Sequence, residues 1–434
     1  MEKVNFFWFR RDLRLNDNTG LRAALKSGTK VQCIFIFDTG ILDGLPKDDA
    51  RVTFIWQQLK KINTALKSFG ASLLIKHGKP LEVWKELIAN YKIDTLFFNR
   101  DYEPATLKRD KDVRFLFESN AIAVRDFKDH VFFEKDEVLK SDDKPYTVYT
   151  PYKNKWLAKY AKTNVLVPKK EDELYLNFES SNYAFPSLKS IGFEKTKIKI
   201  PDYNLKGIDD YDEHRDFPAK HKTTLVGHHL RFGTISIRSL IYFSVRKNPT
   251  YLSELIWRDF FTQILAHFPH VIEGPFRKKY AGIEWRNNED EFKLWCEGKT
   301  GYPIVDAGMR QLNSTGFMHN RVRMITASFL IKHLLIDWRW GEAYFAEKLL
   351  DFDLSSNNGN WQWAAGTGCD AAPYFRVFNP TLQTDRFDKQ KAYIKQWIPD
   401  FDADNYIAPI VDHKMARLRA IEVYKKGIAA AESF

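Results

Sequence analysis

Cysteine is scarce in this chain, with Cys33, Cys296 and Cys369 the only three among 434 residues. They lie far apart and form no CxxC pair, which excludes a disulfide framework and a cysteine zinc site. A reducing, cytoplasmic location is therefore the simplest expectation. No apolar run approaches the roughly 20 residues of a membrane span, so we expect no membrane partner. The start, MEKVNFFWFRRDLRL, lacks the regions of a signal peptide, and we expect it to belong to the fold.

Positive charge and aromatic side chains are abundant. The chain has 67 Lys and Arg against 56 Asp and Glu, a net charge of +11, which favours a polyanionic partner. It also has 12 Trp, 19 Tyr and 34 Phe, a content that suits bulky cores, flat cofactors and stacked bases alike. With 44% hydrophobic and 28% charged residues, the composition is typical of a globular protein, and the length predicts two domains.

The first 130 residues alternate short apolar runs with amphipathic segments. The clearest amphipathic segment spans 50–70 and predicts a helix that Gly70 ends. Near-continuous apolar runs of this length are typical of buried parallel strands, and they occur at 4–9, 31–37, 72–78, 95–101 and 121–127. The alternation predicts a doubly wound α/β domain over 1–130. No GxGxxG follows its first strand, so nothing there indicates dinucleotide binding.

The rest of the chain divides into a connector and a helical region. From 131 to 202 the periodicity is lost in charged, Pro- and Tyr-containing sequence, which predicts a long connector over the surface. Beyond it, over 203–434, the pattern is helical almost throughout and predicts an all-α domain. Its clearest predicted helices span 252–268, 305–316, 319–338 and 413–431.

The stretch NNGNWQWAAGTGCD places two tryptophans beside several amides. If a helix begins near Asn358, Asn357 and Trp361 are four apart and share a face, whereas Trp363 points away from both. An isolated tryptophan is usually a core residue, but amides clustered around it need hydrogen-bond partners of their own if they are buried. The pattern therefore predicts two tryptophans with separate tasks.

Three further segments combine charge, hydroxyls and aromatic rings. TTLVGHHLRFGTIS (223–236) suits either phosphate oxygens or an ordinary helix cap, and its adjacent histidines lack metal-ligand spacing. Glu254, Trp257 and Arg258 fall on one helix face, as either a surface ion pair beside a core tryptophan or a nucleotide site. Arg323 and the acidic DFD (351–353) are candidate ion-pair partners. Together these features predict a protein that binds a phosphorylated planar ligand, but they do not name a reaction.

Three long motifs carry a resemblance to a known family. WFRRDLRLNDN, GKTGYPIVDAGMRQLNSTGFMHNRVRMITASFL and DFDLSSNNGNWQWAAGTGCDAAPYFRVFNP resemble the photolyase/cryptochrome family, and most closely its class I cyclobutane pyrimidine dimer (CPD) photolyases. The resemblance covers essentially the whole chain. It implies a monomeric enzyme that binds double-stranded DNA containing pyrimidine dimers and splits the dimers in blue light. Fully reduced FAD donates one electron to the flipped dimer, and the electron returns after the ring opens.

The resemblance also implies roles for individual residues. Residues matching the part that holds the FAD phosphates and ribityl chain are Tyr211, Thr223, Thr224, Leu225, Val226 and Gly227, and the family often has a serine in place of Gly227. Residues matching the stretch near the flavin ring are Asp351, Phe352 and Asp353, with Arg323 as the partner of Asp351 and Asn357 facing N5. Trp361, Trp338 and Trp285 match the electron-hopping chain that photoreduces the flavin.

The same motifs imply a substrate pocket and a DNA surface. Residues matching the dimer pocket are Glu254, Trp257, Asn320, Met324 and Trp363, and those matching DNA-contacting segments are Arg258, Arg321 and Arg323. Met324 stands where enzymes acting on (6-4) photoproducts have a histidine, which favours the dimer as substrate. Glu254 is expected to hydrogen-bond a pyrimidine and steady its radical anion.

One departure from the family pattern leaves the antenna open. Some relatives bind a folate antenna through an Asn-Glu pair where this chain has Ala105 and Thr106, so we expect no folate by that route. A deazaflavin antenna, a flavin antenna and the absence of an antenna all stay open.

Three alternatives to a CPD photolyase stay open: a cryptochrome, a (6-4) photolyase, or a light-independent DNA-binding protein that keeps FAD. The chain ends soon after the helical region and Asn357 is photolyase-like, which both favour the enzyme over a cryptochrome.

Overall fold

A computed structural model describes residues 2–163, 172–402 and 404–432. These residues form two compact units that interleave along the chain. The first unit comprises Met1–Glu137, Ala158–Pro201 and Val226–Arg246, and the second comprises Val138–Leu157, Asp202–Leu225 and Lys247–Phe434. The division of the sequence at 130 and 202 remains a prediction about consecutive segments, whereas the two units are groupings in space.

A five-stranded parallel sheet is the centre of the first unit. Its strands are β1 Val4–Phe9, β2 Val31–Phe37, β3 Leu74–His77, β4 Ile93–Asn99 and β5 Ala123–Phe127, in the order β3-β2-β1-β4-β5. In the central strand β1, Phe7 pairs with Cys33 on one side and with Phe97 on the other. Every residue of β1 and β2 is buried, as near-continuous apolar runs predict for a sheet covered on both faces. The predicted α/β class is confirmed.

Helices follow the strands in this unit as the pattern predicts. They are α1 Thr19–Leu25, α2 Thr39–Leu42, α3 Ala50–Lys67, α4 Pro80–Asn90 and α5 Pro104–Ser119. Asp49 caps α3 by accepting a hydrogen bond from the Arg51 N–H, which satisfies one of the unpaired donors at the helix start. Gly70 lies three residues beyond the end of α3 with φ of +73°, a conformation that glycine adopts without strain.

The predicted connector contains a helix that its sequence did not reveal. Helix α6, Tyr149–Tyr160, buries Tyr149, Tyr152 and Trp156 on one face, and two short 3-10 helices span Asp172–Asn177 and Lys189–Ile191. The apolar face of α6 consists almost entirely of aromatic rings, and the residues between them include several lysines. This composition resembles that of a loop, so the sequence showed no clear helical pattern. Residues 164–171 of the connector lie outside the described residues.

From residue 203 onward the described chain is helical and contains no strand. Its helices are α7 Tyr211–His214, α8 Gly227–Arg231, α9 Ile237–Ser244, α10 Pro249–His267, α11 Glu289–Glu297, α12 Pro303–Thr315, α13 Asn320–Ser328, α14 Trp338–Lys348, α15 Leu354–Ala365, α16 Pro380–Phe387, α17 Ala392–Trp397 and α18 His413–Glu432. Within the described ranges, none of the helices combines the length and apolar character needed to cross a bilayer.

One predicted helix is divided in the structure. The pattern over 319–338 continues through α13 into a π-helical turn at Phe329–His333 and then ends. Leu335 has φ of +52°, a left-handed conformation that stops a helix, and Asp337 then caps α14 by accepting from the Arg339 N–H. The prediction of a single helix was wrong because the break lies in a fully buried segment, residues 329–336, that contains no Gly or Pro to signal it.

Candidate active site

A cleft in the second unit is bordered by α13, α14 and α15. Its volume is about 620 Å³, counting the space that opens to solvent. Nine residues predicted from the sequence line it: Asn320, Arg323, Met324, Asp351, Phe352, Asp353, Asn357, Trp361 and Trp363. Phe345, Leu349 and Ala327 supply apolar wall between them. A concave, largely apolar site with a few convergent polar groups is the usual form of a ligand pocket.

Acidic residues at the start of α15 hold one end of the cleft. Asp353 caps α15, where its carboxylate accepts from the Ser356 N–H at 3.1 Å. Asp351 accepts from Arg323 Nη2 at 2.9 Å through Oδ2, which confirms the predicted ion pair. The other oxygen, Oδ1, is buried and accepts no hydrogen bond from the described residues. The cleft therefore presents one oriented acceptor to a ligand.

Helix α15 begins at Leu354, four residues before the predicted start, so Asn357 lies inside its first turn. Asn357 and Trp361 share a face, as predicted, and Trp361 is only 2% exposed. Trp363 lies about 200° around the helix from Trp361, as its spacing predicts, but the expectation that it lines a separate surface was wrong. All three side chains line the cleft, with Trp361 buried and Trp363 half-buried. The cleft extends around the helix far enough to include residues that are 200° apart.

The neighbouring amides of α15 serve the fold. Asn358 Nδ2 donates to Val271 O at 3.0 Å, and Gln362 Nε2 donates to the same carbonyl at 2.9 Å. Gln362 Oε1 accepts from the Phe276 N–H at 2.8 Å. These two buried side chains therefore satisfy the backbone of the 271–276 segment. Among the amides of this stretch, Asn357 and Asn360 line the cleft, whereas Asn358 and Gln362 do not.

A second group of predicted residues lies along α10 and α7. Glu254 Oε1 accepts from Arg215 Nη1 at 2.5 Å, and burial raises the pKa of Glu254 while Arg215 opposes the rise. The Tyr211 ring meets Tyr251 edge-on at 5.0 Å between centroids. Thr224 Oγ1 lies 3.1 Å from the Tyr251 hydroxyl, so this tyrosine joins two predicted residues. Neither Arg215 nor Tyr251 was predicted.

Trp257 has a stacking partner that the sequence did not reveal. The Tyr149 ring lies parallel to the Trp257 ring, 3.5 Å away and 7° from coplanar. The Tyr149 hydroxyl donates to Ser253 O at 2.7 Å, which holds the ring in this position. Tyr149 was assigned to the connector, and its TPY context offered no signal beyond the tyrosines themselves.

The predicted DNA-contacting arginines occupy different settings. Arg258 shares the half-buried face of α10 with Glu254 and Trp257, as their spacing predicts. Arg321 donates to Asp216 Oδ1 at 2.7 Å, and its guanidinium lies 4.4 Å from the centre of the Phe387 ring. Arg321 is thus held by one carboxylate and one ring before any ligand binds.

The three predicted electron-transfer tryptophans belong to one core. Trp361 and Trp338 are both 2% exposed, whereas Trp285, the last in the proposed order, is half-buried. The described ring contacts do not join the three directly. Trp361 meets Trp295 at 6.3 Å, and Trp285 meets Tyr424 at 5.9 Å.

The predicted phosphate-binding loop, Thr223 to Gly227, contains a residue in the left-handed conformation. Leu225 has φ of +53°, and Gly227 begins α8. A left-handed leucine is strained, which is a common mark of a binding loop.

Comparisons with known proteins decide the family. Residues 5–171 match the DNA photolyase family model, and residues 251–404 match the model of the FAD-binding domain of DNA photolyase. The chain belongs to the DNA photolyase family. Among photolyases, it is 35% identical to the deoxyribodipyrimidine photo-lyase of Vibrio cholerae, over 97% of this chain and 99% of that one.

Solved photolyase structures share the fold. A class III photolyase from Agrobacterium tumefaciens superposes with a TM-score of 0.86 at 33% identity, covering 100% of this chain and 98% of the other. An archaeal photolyase from Sulfolobus tokodaii, described with two FAD molecules, gives a TM-score of 0.84 at 34% identity, covering 98% and 100%.

The photolyase cofactor FAD fits the residues present. The cleft lies within the matched FAD-binding domain, and the buried acceptor Asp351 Oδ1 is complementary to an N–H of a flavin ring. The apolar walls formed by Trp361 and Phe345 suit the flat ring system itself.

Proposed function

We propose that the protein is a light-dependent DNA-repair enzyme that splits cyclobutane pyrimidine dimers. One observation carries the proposal. Asn357 and Trp361, which we assign to the flavin, line the same cleft as Met324 and Trp363, which we assign to the dimer. Electron transfer between flavin and dimer needs this closeness, since the two must lie side by side in one site that excludes water.

Polar side chains of the cleft orient the cofactor. Bound FAD supplies the light absorption and the electron, and the protein supplies position and electrostatics. Asp351 Oδ1 would accept from a ring N–H of bound FAD, while Arg323 Nη2 donates to the other carboxylate oxygen. Asn357 Nδ2 donates to the backbone carbonyl of Glu342 at 3.1 Å, so its Oδ1 would be available to the N5 position of bound FAD. Tyr211 and the Thr223–Gly227 loop hold the phosphates and ribityl chain.

Glu254 and the aromatic residues receive the flipped dimer. Flipping costs a few kcal/mol, and stacking at about 1–3 kcal/mol per base offsets it. Trp257, supported by Tyr149, and Trp363 form the surfaces for the two bases, and Glu254 hydrogen-bonds a pyrimidine. Met324 offers the dimer an apolar, polarisable contact and no titratable group, which favours the CPD over the (6-4) photoproduct.

Trp361, Trp338 and Trp285 carry electrons from the surface to the flavin. The order from buried to half-buried supports this assignment. Arg258, Arg321 and Arg323 contact DNA near the lesion, consistent with the net charge of +11. We propose that the protein works as a monomer on DNA in the cytoplasm, associated with the nucleoid through its substrate.

The test is a repair assay with purified, FAD-loaded and chemically reduced protein. UV-treated thymine oligomer should lose its dimers under blue light and keep them in a matched dark sample. An oligomer that carries a (6-4) photoproduct should stay unchanged. Unchanged dimer content in light would refute the proposal, and photoreduction of the flavin without repair would point instead to a cryptochrome.

A further inference from the structure

A half-buried glutamate on α14 contacts two consecutive amides of α15. Glu342 is on α14, and its backbone carbonyl accepts from Asn357 Nδ2 at 3.1 Å. Its own carboxylate oxygen Oε1 accepts from Asn358 Nδ2, also at 3.1 Å. One residue therefore holds two consecutive amides of α15, of which the first lines the cleft and the second does not. No role assigned so far uses the Glu342 carboxyl group.

The Asn358 amide that contacts this carboxyl group takes part in three hydrogen bonds. Asn358 Nδ2 also donates to Val271 O at 3.0 Å, and Gln362 Nε2 donates to Asn358 Oδ1 at 3.1 Å. The amide that Glu342 contacts is thus fixed on three sides and cannot turn to follow a change of charge. A gain or loss of a proton on Glu342 consequently changes the electrostatic field at the cleft and leaves the packing in place.

The surroundings of Glu342 favour its neutral form. Burial raises the pKa of Glu342 to about 7. The Asn358 hydrogen bond and the charge of Arg339 lower this pKa, whereas the charge of Asp337 raises it. Arg339 forms an ion pair with Asp337, with Nη2 2.5 Å from Oδ2. The groups of α15 near the Glu342 carboxyl group are neutral amides. The 269–276 segment contributes the Val271 carbonyl, which shares the Asn358 amide, and one charged residue, the exposed Glu273.

We propose that Glu342 is a positioning residue that takes up a proton when the bound flavin becomes negatively charged. The inference rests on the proposed function, because it needs FAD beside Asn357. In balance, oxidised FAD would accept two electrons from a reductant such as dithionite and one proton from water, and so would become an anion. The Glu342 carboxylate then binds one proton from water, which restores the net charge of the site. The neutral carboxyl group stabilises the negative, repair-competent flavin.

The test compares the FAD-loaded wild type with Glu342→Gln. Glutamine keeps an oxygen that accepts from Asn358 but cannot titrate, so the connection between α14 and α15 survives. Glu347→Gln is the control, since Glu347 lies on the same helix, is 52% exposed and pairs with Lys348. The flavin midpoint potential is measured against pH, and reduced-minus-oxidised infrared difference spectra are recorded.

We expect the midpoint potential of the wild type and of Glu347→Gln to fall more steeply with pH than that of Glu342→Gln within about one unit of pH 7. Reduction of the wild type should produce the C=O stretch of a protonated carboxyl group, and Glu342→Gln should lack it. If the wild type shows no such band, the inference is overturned even if the variant fails to fold. If FAD binds and dimers are split, but both proteins show the same pH dependence, only this inference fails. Absence of FAD or of repair would overturn the proposed function as well.

Discussion

The Arg215 guanidinium donates to the Glu254 carboxylate, with Nη1 2.5 Å from Oε1. Burial raises the pKa of Glu254 and Arg215 limits that rise, so Arg215→Met should raise the pKa further. We expect the pH profile of repair by chemically reduced enzyme to shift to higher pH in Arg215→Met. Glu254→Gln should lose this pH dependence and at least about tenfold in repair yield. Arg215→Lys should retain part of the wild-type profile. An unshifted profile in Arg215→Met would show that the Arg215–Glu254 ion pair does not control the pH dependence of repair.

Tyr149 and Trp257 form a parallel stack at 3.5 Å. Because an aromatic pair contributes about 0.5–1.5 kcal/mol beyond its buried area, Tyr149→Ala should weaken binding of dimer-containing DNA by about three- to tenfold. Tyr149→Phe keeps the stack and loses only the hydrogen bond to Ser253 O, so its affinity should change less than about twofold. Equilibrium binding to oligomers with and without one dimer measures this. Equal losses in both variants would show that the hydroxyl, and not the stack, matters.

Gly341 lies against Trp361. A Cβ placed on Gly341 would be 2.1 Å from Cη2 of Trp361, so Gly341→Ala must displace the indole. We expect a loss of about 1–3 kcal/mol in the free energy of unfolding and strongly reduced photoreduction of the flavin. Trp361→Phe should abolish photoreduction and retain repair after chemical reduction. Gly44→Ala, where a Cβ meets nothing within 4 Å, is the control and should behave as the wild type.

Arg321 is paired with Asp216 and stacked on Phe387 before DNA binds. If DNA phosphate replaces Asp216, affinity for damaged DNA falls steeply with salt, and each lost phosphate contact lowers the log–log slope by about 0.9. Arg321→Ala should therefore show a slope shallower by about that amount. Lys426→Ala, whose charge is 76% exposed and paired with Glu422, should keep the wild-type slope. If Arg321→Ala and Lys426→Ala have identical slopes, Arg321 does not contact a DNA phosphate.

Glu342 also predicts a pH dependence of stability. Its pKa is raised from 4.5 to about 7, so its contribution is fully present below pH 4.5 and is lost as pH rises through 7. Relative to Glu342→Gln, the wild type should lose about 1–3 kcal/mol of unfolding free energy between about pH 5 and pH 8. Chemical unfolding of the FAD-loaded proteins at both pH values gives the difference. A difference that does not change with pH would show that Glu342 is not neutral in the folded protein.

Local patterns accounted for most of the fold. The five apolar runs became the five strands, and the end of α3 near Gly70 followed from the glycine three residues beyond it. Both signals act within a few residues, so they are visible in one sequence. The break at Leu335 and the helix Tyr149–Tyr160 were missed because packing against distant residues decided them.

Within the site, the sequence by itself determined which residues share a helix face. The spacing of Asn357 and Trp361, and of Glu254, Trp257 and Arg258, placed each set on one side of a helix, since helical periodicity is a local property. The long motifs also determined the family, because they cover parts of the chain that are far apart.

The tertiary structure alone decided which partners those residues have. It joined Arg215 to Glu254, laid Tyr149 on Trp257, and placed Trp363 in the same cleft as Trp361. It also turned Asn358 away from the cleft and towards the carboxyl group of Glu342. These contacts join segments separated by 16 to 108 residues, or wrap a cleft around a helix. Their hydrogen-bond geometry and burial, which set the charge of each group, exist only once the helices have packed.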